Sequence, residues 1–277
     1  MNEVNETQLT DNAHGRTFGA PIMEMKNITM RFGGVIAIQD ISFDILEGEV
    51  RAIIGPNGAG KSSMLNVING FYHPQEGEIW FGGKKRSPMK PYQIAYQGIA
   101  RTFQNIELFE QASVLQNLLV ARQTHRRSNP VSEILFSPFV KKEEYRHRLE
   151  VEKVIDFLDL QAYRQKFISG LPYGVRKVVE LGRALSIEPK LLLLDEPASG
   201  LSVEETQDVA FWIEDIKKVM GITVLMVEHD MHLVASVSDR VMALADGKKL
   251  AMGSPEDVKN HPAVIEAYLG VSDEKEK

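Results

Sequence analysis

The sequence predicts an α/β fold that is interrupted by an all-helical insertion, and three observations indicate it. Strand patterns alternate with glycine loops and helical patterns near both ends of the chain. A phosphate-binding loop motif, residues 55–63, lies between one such strand and the helix that follows it. The middle of the chain, about residues 105–180, instead shows helical patterns. We therefore expect an α/β core with an inserted helical subdomain.

The first α/β stretch begins near Met23. Apolar and polar residues alternate in "ISFDI" (41–45), and the apolar strand "EVRAIIG" follows. After the glycine loop, apolar residues recur at helical spacing from Met64 to Phe71, and "GEIWFGG" predicts another short strand. This order of strand, loop and helix is typical of α/β proteins.

The middle stretch is rich in Leu, Glu, Lys and Arg. "SVLQNLLVARQ" and "EEYRHRLEVEKVIDFLDL" predict helices, with Asn129-Pro130 and Ser137-Pro138 as breaks. The basic residues between 122 and 148 alternate with glutamates, which favours a solvated helix face over a partner or lipid surface. Strands return after Pro189, in "LLLLDE" and "GITVLMVEHD".

Composition sets limits on function. Hydrophobic residues make up 43% of the chain and charged residues 25%, enough for a well-packed core. The net charge of −6 argues against a dedicated duplex-binding protein, and the absence of cysteine excludes disulfides and thiolate metal sites. With no apolar run of about 18 residues and no secretory signal pattern, we expect a cytosolic protein with a flexible N-terminal segment at 1–20 and a polar tail at 271–277.

The phosphate-binding loop "GPNGAGKSS" is the strongest motif. Its glycines let the backbone wrap closely around phosphate oxygens, and the following helix start offers N–H groups. Lys61 is expected to reach the β- and γ-phosphates, and the Ser62 hydroxyl to ligate Mg²⁺. The predicted ATP-binding residues of this loop are Gly55, Pro56, Asn57, Gly58, Ala59, Gly60, Lys61, Ser62 and Ser63.

A second motif, "LLLLDEP", combines a buried strand with two acids at its end. Asp195 is placed to hold the Mg²⁺ shell, and Glu196 to polarise a water against the γ-phosphate. Gln104 in "RTFQNIELF" and His229 after "ITVLMVE" fit the same frame. Taken alone, Gln104 fits a surface amide and His229 a strand-end histidine better than either fits a functional group.

"SGLPYGVRKVVELGRAL" (169–185) predicts a helix that begins near a proline and a glycine. An ordinary buried helix after a turn accounts for the pattern. The other interpretation is that N–H groups at this helix start bind a ligand.

Taken in order, "RFGG", "GPNGAGKSS", Gln104, "LPYGV", "LLLLDE" and His229 resemble the motifs of an ABC-type ATPase subunit. The resemblance covers about residues 23–270. Five segments are most similar to the ATP-binding subunits of branched-chain amino acid importers, particularly the larger one: "RFGGVIAIQDISF", "GIARTFQNIELF", "NLLVAR", "VEHDM" and "VIEAYLG". It implies a P-loop NTPase domain over 21–270, with an antiparallel β subdomain besides the helical one.

The resemblance also implies roles for individual residues. Phe32 stacks on the adenine; Ser62, Gln104 and Asp195 serve Mg²⁺; Glu196 is the base or water-orienting residue, and His229 senses the γ-phosphate. A signature loop contacts ATP on the opposing subunit, with Leu171, Pro172, Tyr173, Gly174 and Val175. An inter-subunit loop contains Ser199, Gly200, Leu201 and Ser202.

The sequence departs from the family pattern at four of these positions. Pro172 replaces a serine, Tyr173 a glycine and Val175 a glutamine, while Ser202 stands where aspartate is common. We expect these changes to leave binding in place and to shift catalytic weight between two unequal ATP sites.

The implied partners are a second ABC ATPase subunit, with a paralogue favoured, two membrane permease subunits and, indirectly, a secreted solute-binding protein. The expected location is peripheral, on the cytoplasmic side of the cell membrane, with no nucleic-acid partner. A lipid or export ATPase and a soluble ABC-type ATPase are the alternatives. Branched-chain amino acids are the default cargo of the subgroup, and related solutes stay open.

Overall fold

A computed structural model describes residues 9–11, 16–126 and 138–273. The strands are β1 (Leu9–Asp11), β2 (Arg16–Phe18), β3 (Pro21–Phe32), β4 (Val35–Leu46), β5 (Val50–Ile54), β6 (Glu76–Phe81), β7 (Lys84–Lys85), β8 (Ile99–Arg101), β9 (Leu191–Asp195), β10 (Thr223–Val227), β11 (Arg240–Ala245) and β12 (Lys248–Gly253). The α-helices are α1 (Lys61–Ile68), α2 (Pro91–Tyr96), α3 (Val114–Ala121), α4 (Pro138–Phe157), α5 (Tyr173–Leu185), α6 (Val203–Lys218), α7 (Met231–Val237), α8 (Pro255–Lys259) and α9 (Pro262–Asp273).

The chain divides into two units, one of residues up to 94 and from 193 onward, the other of residues 95–192. The predicted limits of 21–270 for the whole domain and 105–180 for the insertion stay predictions. The predicted flexible N-terminal segment and polar tail lie partly outside the described residues, which include the antiparallel pair β1 and β2 and α9 up to Asp273.

The first unit contains an antiparallel sheet with the strand order β4-β3-β6-β7. The predicted alternation of "ISFDI" is confirmed, because Ile41, Phe43 and Ile45 of β4 are buried. Met23 and Met25, which face two of them in β3, are buried as well. The antiparallel β subdomain implied by the family resemblance is therefore present.

A second sheet of this unit has the order β12-β11-β5-β10-β9. β5 pairs in parallel with β10 and with β11. Every residue of β5, β9 and β10 is buried, which explains why these strands read as mainly apolar runs rather than as alternating ones; the polar exceptions are Arg51, Asp195 and Thr223. β9 begins in the second unit and carries the chain into the first.

The second unit contains β8, α3, α4 and α5, and α2 crosses the boundary between the units. The helices predicted for this stretch are confirmed. A Cβ atom at Gly182 of α5 would lie 3.1 Å from Leu158 and 3.4 Å from Leu118, so glycine allows close helix packing here. Among the described helices, none is both long and apolar enough to cross a membrane.

Candidate functional site

The phosphate loop connects β5 to α1 and needs its glycines for two separate reasons. Gly55, Gly58 and Gly60 have φ values of 152°, 83° and 98°, a region that other residues rarely adopt. A Cβ at Gly55 would lie 2.2 Å from the carbonyl oxygen of Leu244, and one at Gly60 would lie 2.4 Å from that of Ala37. The motif therefore reflects both backbone conformation and lack of space.

Lys61 opens α1 and is turned into its own loop. Its ammonium donates to the carbonyl oxygens of Gly55 (2.7 Å) and Pro56 (2.9 Å), and the residue is 6% exposed. Burial lowers the pKa of Lys61, while the charges of Glu196 and Asp195 act to raise it. The predicted cation and both predicted carboxylates thus interact within one unit.

The N-terminus of α1 lacks a side-chain cap, and α5 shares this property. Their N-cap residues, Gly60 and Pro172, accept no hydrogen bond through a side chain. In the other α-helices whose N-caps the structure describes, a side chain accepts from first-turn N–H groups, and these caps are Ser113, Ser202, Asp230 and Ser254. Uncapped N–H groups and the helix dipole suit an anion such as phosphate.

Asp195 and Glu196 follow each other at the end of β9 with different surroundings. Asp195 is buried, whereas Glu196 is half-buried and has a φ of 49°, in the left-handed region. Such a conformation costs a non-glycine residue about 1–3 kcal/mol and is concentrated at functional sites. The Glu196 N–H donates to the carbonyl oxygen of Val227 at 2.9 Å, which links this bend to β10.

The predicted Mg²⁺ ligands are all oxygen donors, the class that this cation prefers. Ser62 is exposed in the first turn of α1, and Asp195 belongs to the same unit. Gln104, also exposed, belongs to the second unit. Ser62 and Asp195 of the first unit are donors that fit a magnesium ion bound together with phosphate oxygens.

His229 follows β10 and presents its side chain to solvent, with 61% exposed. The residue before it, Glu228, is fully buried and accepts hydrogen bonds from backbone N–H groups. Sequence analysis missed Glu228. The available signal was an acidic residue at the end of an otherwise apolar run.

Phe32, the predicted adenine-stacking residue, ends β3 and is 42% exposed. Its ring meets the edge of Tyr72 with centroids 4.9 Å apart and an interplanar angle of 74°. Sequence analysis missed Tyr72, which supports the position of this exposed aromatic ring.

The predicted signature loop lies in the second unit, at the start of α5. Pro172 precedes the helix as its N-cap and does not occupy the first helical position, which Tyr173 takes. Arg176 donates to the carbonyl oxygens of Leu171 (2.9 Å) and Ser169 (3.1 Å), so the helix holds the loop before it. Pro172 and Tyr173, which depart from the family pattern, therefore follow a turn that Arg176 holds by hydrogen bonds.

Gln104 lies in a loop that α5 also holds. The N–H of Phe103 donates to the buried carboxylate of Glu180 at 3.1 Å, and Arg183 donates to the carbonyl oxygen of Glu107. Burial raises the pKa of Glu180, and the Phe103 N–H opposes this effect. Sequence analysis did not identify Glu180 or Arg183.

In the predicted inter-subunit loop, Gly200 has a φ of 78° and Ser202 is the N-cap of α6. The Ser202 hydroxyl accepts from the N–H of Glu205, whose carboxylate accepts from the N–H of Ser202 at 2.8 Å. Serine at this position therefore serves as one half of a capping box.

Comparison with known proteins identifies the family. A family model described as ABC transporter matches residues 38–199. The chain belongs to the ABC transporter family. As a member it is an ATP-binding, ATP-hydrolysing cassette, in agreement with the geometry of its phosphate loop. A second model, described as branched-chain amino acid ATP-binding cassette transporter, matches residues 248–274 of this cassette.

Relatives and solved structures agree. The cassette is 36% identical over 250 residues to the high-affinity branched-chain amino acid transport ATP-binding protein BraF of Pseudomonas aeruginosa, covering 90% of this chain and 98% of the relative. It is 34% identical to LivG, of the same description, from Escherichia coli K12, with the same coverage. A crystal structure of the ADP conformation of an ABC transporter cassette is 32% identical, with a TM-score of 0.79 over 90% of this chain and 99% of that one.

The segment matched by the second model reaches the phosphate loop. Tyr268 of α9, in the tail segment "VIEAYLG", has an enclosed hydroxyl next to the backbone N–H of Gly55. Burial raises the pKa of this hydroxyl, and the N–H of Gly55 acts in the opposite direction. Sequence analysis used this tail only for the resemblance.

Proposed function

We propose that this cassette is the ATP-hydrolysing motor subunit of an importer for branched-chain amino acids. The observation that carries the proposal is the match of residues 248–274 to the branched-chain amino acid cassette model. The match to this chain covers 98% of BraF and of LivG. Both are described as branched-chain amino acid transport ATP-binding proteins, which supports the proposal.

In the proposed reaction the phosphate loop binds the triphosphate. Lys61 exchanges two loop carbonyls for β- and γ-phosphate oxygens, which are stronger acceptors because they are charged. Ser62, Asp195 and Gln104 hold Mg²⁺, which supplies positive charge against those oxygens when it is bound. Phe32, supported by Tyr72, stacks on the adenine.

Hydrolysis needs a base or water-orienting group and a contact to the γ-phosphate. We assign the first role to Glu196, which follows β9 in a left-handed backbone conformation of the kind that is concentrated at functional sites. His229 takes the second role, because its ring is exposed while the neighbouring Glu228 is fully buried. The charge interaction of Glu196 with Lys61 supports its position close to the phosphates.

The second ATP contact comes from a paralogous ATPase subunit. The uncapped start of α5, Leu171 to Val175, serves ATP held by that partner, and the partner's corresponding loop serves ATP held here. Residues 199–202 contribute to the same interface. Pro172 lacks a hydroxyl and an N–H, so the contact through this loop is weaker than that of a serine-containing loop.

The remaining partners are two membrane permease subunits and a secreted solute-binding protein. The cassette then works at the cytoplasmic side of the membrane through the permease subunits.

Uptake by cells tests the proposal. A strain that lacks this gene should lose ATP-dependent accumulation of labelled leucine, isoleucine or valine and keep uptake of labelled glucose. The wild-type gene should restore uptake, and Glu196→Gln should not. Normal uptake of all three amino acids, together with loss of uptake of another solute, would contradict the proposed cargo. The ATPase assignment would stay in place.

Pairing is tested with the purified chain mixed with its paralogous partner subunit at equal concentration. If two cassettes are needed for one turnover, the rate should rise more steeply than protein concentration at low concentration. A rate strictly proportional to concentration down to extreme dilution would contradict pairing.

A further inference from the structure

Glu228 is a buried carboxylate that joins two loops of the first unit. Its side chain has no exposed surface. Oε1 accepts a hydrogen bond from the N–H of Ala198 at 2.9 Å, and Oε2 accepts from the N–H groups of His229 at 2.8 Å and Asp230 at 3.2 Å. One side chain therefore connects the loop after β9 to the loop after β10.

The loop after β9 contains a conformation that needs support. Glu196 has its φ of 49°, and the N–H of Ser199 closes the turn onto the Glu196 carbonyl oxygen at 3.1 Å. Ala198 lies inside this turn, and its N–H is the group that Glu228 holds. Left-handed non-glycine residues persist only where surrounding contacts determine them, and Glu228 supplies one such contact.

The loop after β10 is fixed from two sides. Glu228 holds the backbone of His229 and Asp230, and the Asp230 carboxylate caps α7 by accepting from His232 (2.8 Å) and Leu233 (3.2 Å). The Nδ1 atom of His229 is 3.6 Å from the Glu228 carboxylate, which is too long for a hydrogen bond. Glu228 thus fixes the backbone, and the imidazole extends from a rigid base.

The same residue is also tied to the strand before the phosphate loop. Its own N–H lies 3.3 Å from the carbonyl oxygen of Ile53 in β5. Three N–H donors on one buried carboxylate form a strong arrangement, because an acceptor with two charged oxygens can serve all of them at once. A neutral amide of the same shape has one acceptor oxygen and cannot.

We infer that Glu228 is a positioning residue that holds Glu196 and His229 in a single arrangement for hydrolysis. The inference rests on the proposed function, since it takes both residues to act on ATP. Glu228 is enclosed, so it acts through these two loops and not by contact with the nucleotide.

The test is Glu228→Gln in the full chain, assembled with its partner ATPase subunit, with steady-state ATP hydrolysis as the readout. The amide oxygen can keep Ala198 or the His229–Asp230 pair, and the NH₂ group then opposes the N–H on the other side. We expect kcat to fall about 10-fold or more, because small displacements of catalytic groups have effects of this size. KM for ATP should stay within about twofold, since no hydrogen bond to the phosphate loop residues 55–63 changes.

A matched control separates positioning from stability. Glu49 is a fully buried carboxylate of the same unit, which accepts hydrogen bonds from Arg240 at 2.6 Å and 2.8 Å and from the N–H of Leu46. Glu49→Gln should lower the melting temperature at least as much as Glu228→Gln. Its kcat per folded molecule should stay close to the wild-type value.

Three further variants make the result decisive. Glu228→Asp keeps the charge and shortens the reach, so it should also lower kcat, and it tests the same geometry if Glu228→Gln folds poorly. Combined with Glu196→Gln or with His229→Ala, Glu228→Gln should cost less than the product of the single effects, as expected for groups that act as one unit.

Wild-type kcat per folded molecule in Glu228→Gln or Glu228→Asp would overturn the inference, as would an equal loss in Glu49→Gln or full multiplication of the effects in both double variants. Failure of the wild-type chain to hydrolyse ATP when it is assembled with its partner ATPase subunit would instead contradict the proposed function. The two failures are therefore distinguishable.

Discussion

The starts of α1 and α5 lie in different units and expose backbone N–H groups by different means. At α1 the N-cap is Gly60, left-handed and so close to Ala37 that only glycine fits. At α5 the N-cap is Pro172, with φ −55° and an extended ψ of 154°. One start depends on freedom of the backbone, the other on a ring that restricts it.

The difference shows that a helix start can lack a capping side chain without a glycine-rich sequence. What the two starts share is the lack of a capping side chain, which Ser113 and Ser202 provide at α3 and α6. Charged groups differ more. α1 begins with Lys61, whose charge interacts with two carboxylates. At α5, by contrast, Arg176 holds the preceding loop through hydrogen bonds to its carbonyl oxygens. We therefore expect the first unit to dominate catalysis and the second to modulate it.

The largest effect is expected from Glu196→Gln in the first unit. Loss of a general base should lower turnover at least about 100-fold, while ATP affinity stays near the wild-type value. Hydrolysis and equilibrium ATP binding measure the two quantities. Glu204→Gln, an exposed carboxylate of α6, is the control, and normal turnover in Glu196→Gln would remove this residue from the reaction.

Lys61→Ala should weaken ATP binding itself. Removal of a charge-assisted contact of about 1.5–3 kcal/mol corresponds to a loss of roughly 10- to 100-fold in affinity. Titration with ATP and magnesium measures it, with Lys84→Ala of β7, an exposed lysine, as the control. Unchanged affinity would mean that the start of α1 is no more specialised for phosphate than that of α5.

The double variant Pro172→Ser with Tyr173→Gly should raise turnover of the assembled complex by roughly threefold, since one added neutral hydrogen bond contributes about 0.5–1.5 kcal/mol. The single variants separate the added hydroxyl from the removed bulk. If hydrolysis does not change, the departures in the signature loop have no functional cost. The difference between the two helix starts would then have no effect on catalysis.

The smallest effect on function is expected where a helix start is capped. Ser113→Ala removes the cap of α3 and should lower the free energy of unfolding by about 1 kcal/mol. Turnover per folded molecule should not change. Thermal unfolding and hydrolysis are compared with Ser87→Ala, an exposed serine in a loop, and a selective loss of turnover in Ser113→Ala would show that capped starts also take part in function.

The amino-acid sequence alone determined the strands, the glycine loop and the acidic pair, because each depends on neighbours along the chain. The five consecutive buried residues of β5, of β9 and of β10 are mainly apolar, and "GPNGAGKSS" contains its own turn and helix start. The helices of the second unit follow from the same kind of local periodicity.

Only the tertiary structure decided which side chains hold the loops and the exposed ring of the candidate site in position. Glu228 holds an N–H 30 positions away, and Glu180 holds one 77 positions away. Tyr72 and Tyr268 likewise meet Phe32 and Gly55 from distant segments. A buried carboxylate and an exposed one are the same letter in a sequence. Their roles differ because folding places backbone N–H groups around one and water around the other.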